Sequence, residues 1–267
     1  MEWQQRQQSQ QQVEDVQVQP VIDISMVDES AVNAYVARVF GWMFIGLLVT
    51  ALTTVGLIFL AQDPYIMDML FNVFLFVVIA ELALVWAISA RVTKMNPTTA
   101  KLLFLLYAAM NGLTFGFIAV LYAYMFGAGM HTIGLAFGIT AVSFGIMAVF
   151  GLTTNRDLTR MGNLAYMMLF GLIIAMVANW FMGSGMVDFL ICVVGLILFM
   201  GITAYKTNAI KHHYAQVALS ENGAASVGAR VDQEALASNL AISGALSLYL
   251  AFINMFMFIL RLLARRR

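Results

Sequence analysis

Seven stretches of this chain are each long and apolar enough to cross a bilayer as a helix, and that pattern leaves few folds open. The runs are Phe40–Ala61, Met69–Ala90, Leu102–Phe126, Thr132–Leu152, Leu164–Met182, Val187–Tyr205 and Leu240–Leu263. At a rise of 1.5 Å per residue, about 20 residues cover about 30 Å of hydrocarbon. Lipid offers the backbone no hydrogen-bond partners, so each run has to satisfy its own as a helix. Composition agrees: 62% of the 267 residues are hydrophobic and 10% are charged, where a soluble domain carries about 25% charged. Too little polar surface remains to cover a water-facing globule. The reading is an all-α integral membrane protein, with residues 31–267 forming one polytopic domain.

Residues 1–30 differ in kind. Nine of the first nineteen are Gln, followed by Asp23, Asp28 and Glu29. Such a segment buries too little surface to offset its ordering entropy, and a disordered cytoplasmic arm is expected. It has no secretory-signal pattern. All three prolines (Pro20, Pro64, Pro97) fall outside the spans, which therefore need no proline kinks. Gly112/Gly116 and Gly134/Gly138 have the small-xxx-small spacing of close helix packing.

Basic residues set the expected orientation. The turns at 62–68, 127–131 and 183–186 hold no Lys or Arg; the alternate turns hold Arg91, Lys94 and Lys101, then Arg156 and Arg160, then Lys206, Lys211 and Arg230. Arg6 and Arg38 precede the first span. The basic face is expected to be cytoplasmic, with the N-terminus inside. The last span conflicts with this rule, because a seventh crossing carries Arg265, Arg266 and Arg267 outside. Either that span crosses or it re-enters and leaves the tail inside; its length favours seven helices. Asn239, Ser243, Ser247 and Asn254 make it the most polar span, which suits a helix surrounded by other helices.

Charge inside a bilayer needs a reason, since it costs roughly 2.5–3.5 kcal/mol on insertion scales. Glu81 is the single mid-span carboxylate, ten residues before Arg91. It is either a cation or proton site or half of a structural ion pair, for which Arg91, Arg261 and Lys206 are the candidate partners. Arg91 stands at a span end, where such side chains snorkel to the interface. Asp63, Asp68 and Asp188 near the basic-free turns read as solvated, or as attracting cations to a vestibule. Asn111, Asn179 and Asn254 read as interhelical hydrogen bonds. The segment 206–235, with His212 and His213, reads as a cytoplasmic helical extension and loop.

Catalytic and cofactor patterns are absent from the sequence. It contains neither HExxH nor GxxxxGK[ST], no mid-span histidine to activate a serine, and no pair of mid-span aspartates. Cys192 is the single cysteine, excluding an intrachain disulfide and a cysteine metal cluster. With 14 basic and 14 acidic residues the net charge is zero, and no global field favours nucleic acid. The chain is expected to be neither an enzyme nor a metal or cofactor carrier.

Four stretches carry a resemblance: ISARVTKMNPTTAKLLFLLYAAMNGLTFG (88–116), FGLTTNRDLTRMG (150–162), GITAYKTNAIK (201–211) and LYLAFINMFMFILRLLARRR (248–267). Together they resemble the bacterial branch of the Bax inhibitor-1 family (transmembrane BAX inhibitor motif-containing proteins), over roughly residues 35–267. The resemblance implies seven transmembrane helices, six surrounding a central C-terminal helix, in a bacterial inner or plasma membrane. It also implies a pH-sensitive calcium leak channel, with calcium as transported ion and not cofactor. Eukaryotic relatives are associated with suppression of cell death, and some bacterial ones with modulation of a membrane protease.

Two positions depart from the family pattern. Ala204-Tyr205-Lys206-Thr207 stands where the family reads Ala-Tyr-Asp-Thr, and Ala251 stands where the final helix has Asp. The family's proton-sensing pair is two aspartates sharing a proton; here Lys206 and Ala251 replace both. A charged lysine facing the path opposes a cation, since unit charges about 4 Å apart interact by about 4 kcal/mol at an effective dielectric constant near 20. Glu81, Arg91 and Arg261 match polar positions that the family retains, and with Lys206 and Asn254 they form the expected ion-pathway or buried charge network. The alternative is a non-transporting regulator that binds another membrane protein, such as a protease, through residues 1–30 or 206–235.

Overall fold

The computed structural model describes residues 29–126, 130–154, 156, 158–221 and 227–265. The expected arm falls almost wholly outside them. Seven helices follow in order: α1 (Glu29–Leu60), α2 (Pro64–Arg91), α3 (Pro97–Phe126), α4 (Met130–Thr153), α5 (Thr159–Met182), α6 (Gly185–Glu221) and α7 (Val227–Ala264). All seven are long and apolar enough to cross a membrane. Pro64 and Pro97 each open a helix, where proline's missing N–H costs nothing, and Asp63 caps α2 by accepting from the Tyr65 amide at 2.9 Å.

The helices outrun the apolar stretches where a packing stripe continues. α1 begins eleven residues before Phe40 because Val32, Tyr35, Val36 and Val39 recur at helical spacing and are all buried; hydropathy alone does not register such an amphipathic extension. α6 runs on to Glu221, and α7 starts at Val227.

α7 is the most interior helix: 61% of its apolar window is buried, against 6% for α2 and 11% for α5. α1, α3, α4 and α6 pack along it most extensively, while α2 leans on α3 and α5 on α6. The molecule is thus four helices about a fifth, with two outriggers.

Small residues decide the tightest contact. A Cβ on Gly112 would strike the Thr53 hydroxyl and come within 2.7 Å of the Thr50 carbonyl; one on Gly116 would come within 2.8 Å of Leu57. The absence of both lets α1 and α3 approach. Gly134 and Gly138 do not act this way: a Cβ at either meets nothing within 4 Å, so the packing expected of that pair is corrected.

α7 crosses fully. Arg265 reaches the start of α6, donating to the Gly185 carbonyl at 2.5 Å and pairing with Asp188 at 2.7 Å. Its end of the bundle is therefore the one bearing the basic-free turns. Asp188 supplies local compensation for a tail that charge counting alone would keep on the other face, and its expected role as a solvated or cation-attracting turn residue gives way to this pairing. Arg91, Lys94 and Lys101 mark the basic end of the bundle, and the opposite end is the far end.

Candidate functional site

Glu81 lies inside the bundle because α2 turns only a narrow stripe inward. Its neighbours Ile79 and Leu82 are 55% and 64% exposed, while Glu81 is 9% exposed and Ile88, two turns later on the same face, is fully buried. That stripe faces α3. There the Thr114 hydroxyl donates to Glu81 Oε1 at 2.6 Å.

A second polar contact lies nearer the axis, between α1 and α7. Tyr249, on α7, is completely buried, with its ring edge-on to Phe104 and Tyr107 at 5.8 and 5.9 Å. Its hydroxyl meets Thr50 Oγ1 of α1 at 2.7 Å. Thr50 also lies 2.9 Å from the Ala108 carbonyl and 3.0 Å from that of Gly46. Carbonyls only accept, so the one Thr50 proton goes to a carbonyl and Tyr249 donates to Thr50. One turn on, Thr54 donates to the Gly112 carbonyl at 3.0 Å. These α1-to-α3 bonds exist because Gly112 brings the backbones together.

The result is two hydroxyl-centred ties in the bundle, Glu81–Thr114 between α2 and α3 and Tyr249–Thr50 between α7 and α1. Oxygen ligands of this kind suit protons and hard cations. Among the described residues, no three His, Cys, Asp or Glu side chains gather as a metal cluster.

The structure does not bring the expected charge network together. Arg91 is exposed at the basic end of α2. Lys206 is half-buried on α6, its Nζ 5.8 Å from the Tyr166 ring centre on α5. Arg261 stands in the last turn of α7, one turn before Arg265 at the far end. Among the described residues no basic group pairs with Glu81, and the expected counter-charge from Arg261 or Lys206 is corrected. Lys206 sits well inside α6 and Arg261 in the last turn of α7, and neither forms a salt bridge with Glu81. Asn254 donates to the Leu250 carbonyl of its own helix at 2.7 Å, and Asn111 to Tyr107 at 3.0 Å. The amides that tie separate elements are instead Asn208, to the Gly151 carbonyl at 3.3 Å, and Asn239, to the Met95 carbonyl at 2.7 Å. Asn179 Oδ1 is buried and unpartnered. His213 lies outside the residues whose side chains are described.

The family described as inhibitor of apoptosis-promoting Bax1 matches residues 32–267. The chain belongs to the Bax inhibitor-1 family. It is 35% identical over 254 residues to the inner membrane protein YbhL of Escherichia coli K12, covering 93% of this chain and 98% of that protein. An uncharacterized protein of Borreliella burgdorferi is 35% identical over 238 residues, covering 88% and 93% of the two chains. One from Deinococcus radiodurans is 36% identical over 232 residues, covering 86% and 90%. The chain is a multi-pass membrane protein of that family.

Thr50, Tyr107, Thr114 and Tyr249 were not singled out by sequence. For Thr50 a signal exists: Thr50, Thr53 and Thr54 line one face of the otherwise apolar run Phe40–Ala61. For the others no pattern marks the partner, because the contacts join residues 33 and 199 positions apart.

Proposed function

We propose that this protein is a passive cation-permeable membrane protein, with Glu81 the acidic group on its path and calcium the expected ion. The observation that carries the reading is a mid-bundle carboxylate held by the Thr114 hydroxyl and faced by no basic partner among the described residues. An ionisable group kept inside a membrane bundle without a counter-charge is costly, and groups retained at such cost mark ion and proton pathways. Transport here needs no enzyme chemistry and no resident cofactor. The N-terminus is cytoplasmic by the basic-residue rule, and the printed name of the E. coli relative supports an inner-membrane setting.

Gating by two carboxylates is lost. Ala251 is 1% exposed within the core and offers no titratable group, and Lys206 stacks on Tyr166. Purified protein in liposomes is expected to pass calcium above the protein-free level, with little change between pH 6 and pH 8. Lys206→Asp combined with Ala251→Asp is expected to restore pH dependence. Calcium flux confined to that double variant would reject the reading for the parent. It would favour a regulator that binds another membrane protein, such as a protease, for which the missing carboxylates are the supporting observation; retention of that partner with and without residues 1–30 then locates the contact.

A further inference from the structure

The bundle wall has a seam. In the basic half, α1 and α4 meet where the Phe40 and Phe144 rings approach at 6.5 Å. Toward the far end they part, and a crevice of about 320 Å³ opens between them. Ala51 and Val55 on α1, and Gly134 and Phe137 on α4, form its exposed rims. Its floor is Phe115 of α3 with Phe252 and Phe256 of α7. A second cavity of about 280 Å³ shares Ile58, Ala119 and Ile133 with it and ends at Ala61 and Gln62 in the far-end turn.

Three observations identify what fits. The rims lie on membrane-spanning helices, so the opening faces hydrocarbon and not water. The polar groups in the crevice are already used: Thr50 bonds Tyr249 and a carbonyl, and Thr54 bonds the Gly112 carbonyl. A polar guest would lose its hydration with nothing in return. The length also matches, since Thr50 to Gln62 spans about 18 Å of helix, close to half of a bilayer core of about 30 Å.

We propose that this seam holds one acyl chain of a bilayer phospholipid from the far-end leaflet, its headgroup leaving at the level of Gln62. At about 320 Å³ the crevice is too small for a helix of a second copy, whose diameter is about 10 Å. The crevice borders the candidate site at Thr50 and Thr54 but does not include Glu81 or Thr114, and neither proposal depends on the other.

Native mass spectrometry of the full chain, released from mild detergent after delipidation, tests it. The parent is expected to retain one phospholipid-mass adduct per chain. Gly134→Trp fills the crevice from a position where a Cβ meets nothing within 4 Å, and is expected to lose that adduct; Gly134→Leu is expected to weaken it. Ala51→Trp blocks from the opposite rim should the α4 variants fail to fold. Leu82→Trp, on the lipid-facing side of α2, is expected to keep it. Equal retention by folded plugged variants would overturn the proposal. A fatty-acid, detergent or dimer mass in place of the phospholipid would overturn it too.

Discussion

Thr114 Oγ1 lies 2.6 Å from Glu81 Oε1, and that one bond fastens the least buried helix of the bundle to its neighbour in mid-membrane. Elsewhere α2 holds α3 by apolar contact, with Phe74 stacked on Phe117 at 4.4 Å and Phe71 edge-on to it at 5.0 Å. Thr114→Val removes the only hydrogen-bond donor to the carboxylate among the described residues. It is expected to lower stability by about 1–2 kcal/mol, read as the shift of a denaturation curve in detergent, while Thr114→Ser stays near the parent. Equal stability of Thr114→Val and the parent would deny the bond its role.

The Thr50–Tyr249 contact joins helices at the two ends of the chain. Because Tyr249 is fully buried, Thr50→Val strands a phenol hydroxyl and is expected to cost about 1–3 kcal/mol. Tyr249→Phe should cost less, and the double variant little more than Thr50→Val alone. A double-mutant cycle reads the coupling, expected at about 0.5–1.5 kcal/mol. Additive losses would show the two side chains to be energetically independent.

Gly112 and Gly138 have the same local sequence signal and opposite surroundings. Gly112→Ala puts a methyl group into Thr53 and the Thr50 backbone, forcing α1 and α3 apart, and is expected to destabilise by about 1–3 kcal/mol as overpacking does. Gly138→Ala has open space and is expected to be neutral or stabilising within about 1 kcal/mol. Comparable losses at both positions would contradict the packing described.

Orientation is open to direct chemistry. In a Cys192→Ala background, Lys94→Cys reports the basic end, and Gln62→Cys and Arg265→Cys report the far end. An impermeant thiol reagent added to intact cells is expected to label the far-end pair and spare Lys94→Cys. Losing the Arg265–Asp188 pair, about one-third exposed on both sides, should cost under about 1 kcal/mol. Labelling of Arg265→Cys together with Lys94→Cys would place α7's end on the wrong face.

Hydropathy was enough to find all seven helices, because lipid imposes one solution on any apolar run of that length. It was not enough to bound them: the Val32–Val39 stripe on α1 is an amphipathic surface signal, invisible to a search for continuous apolarity. Glu81 was legible as the one mid-span carboxylate, since a lone charge in hydrocarbon is conspicuous. Its partner was not. Sequence reasoning reached for Arg261 and Lys206 on charge complementarity, whereas neither forms a salt bridge with Glu81 and Thr114 answers instead. The Arg265–Asp188 pair was hidden for a related reason, as counting charges per turn ignores which turn a helix end touches. Nor does the repeat Gly134/Gly138 differ in sequence from Gly112/Gly116; only the neighbouring helix decides which pair packs.

Calcium influx into proteoliposomes carrying the parent or Glu81→Gln, at matched incorporation, tests the central claim most directly. Glutamine keeps an acceptor for Thr114 and removes the charge, so the account predicts influx at the protein-free level with an unchanged melting temperature. Parent-like influx through folded Glu81→Gln would contradict it.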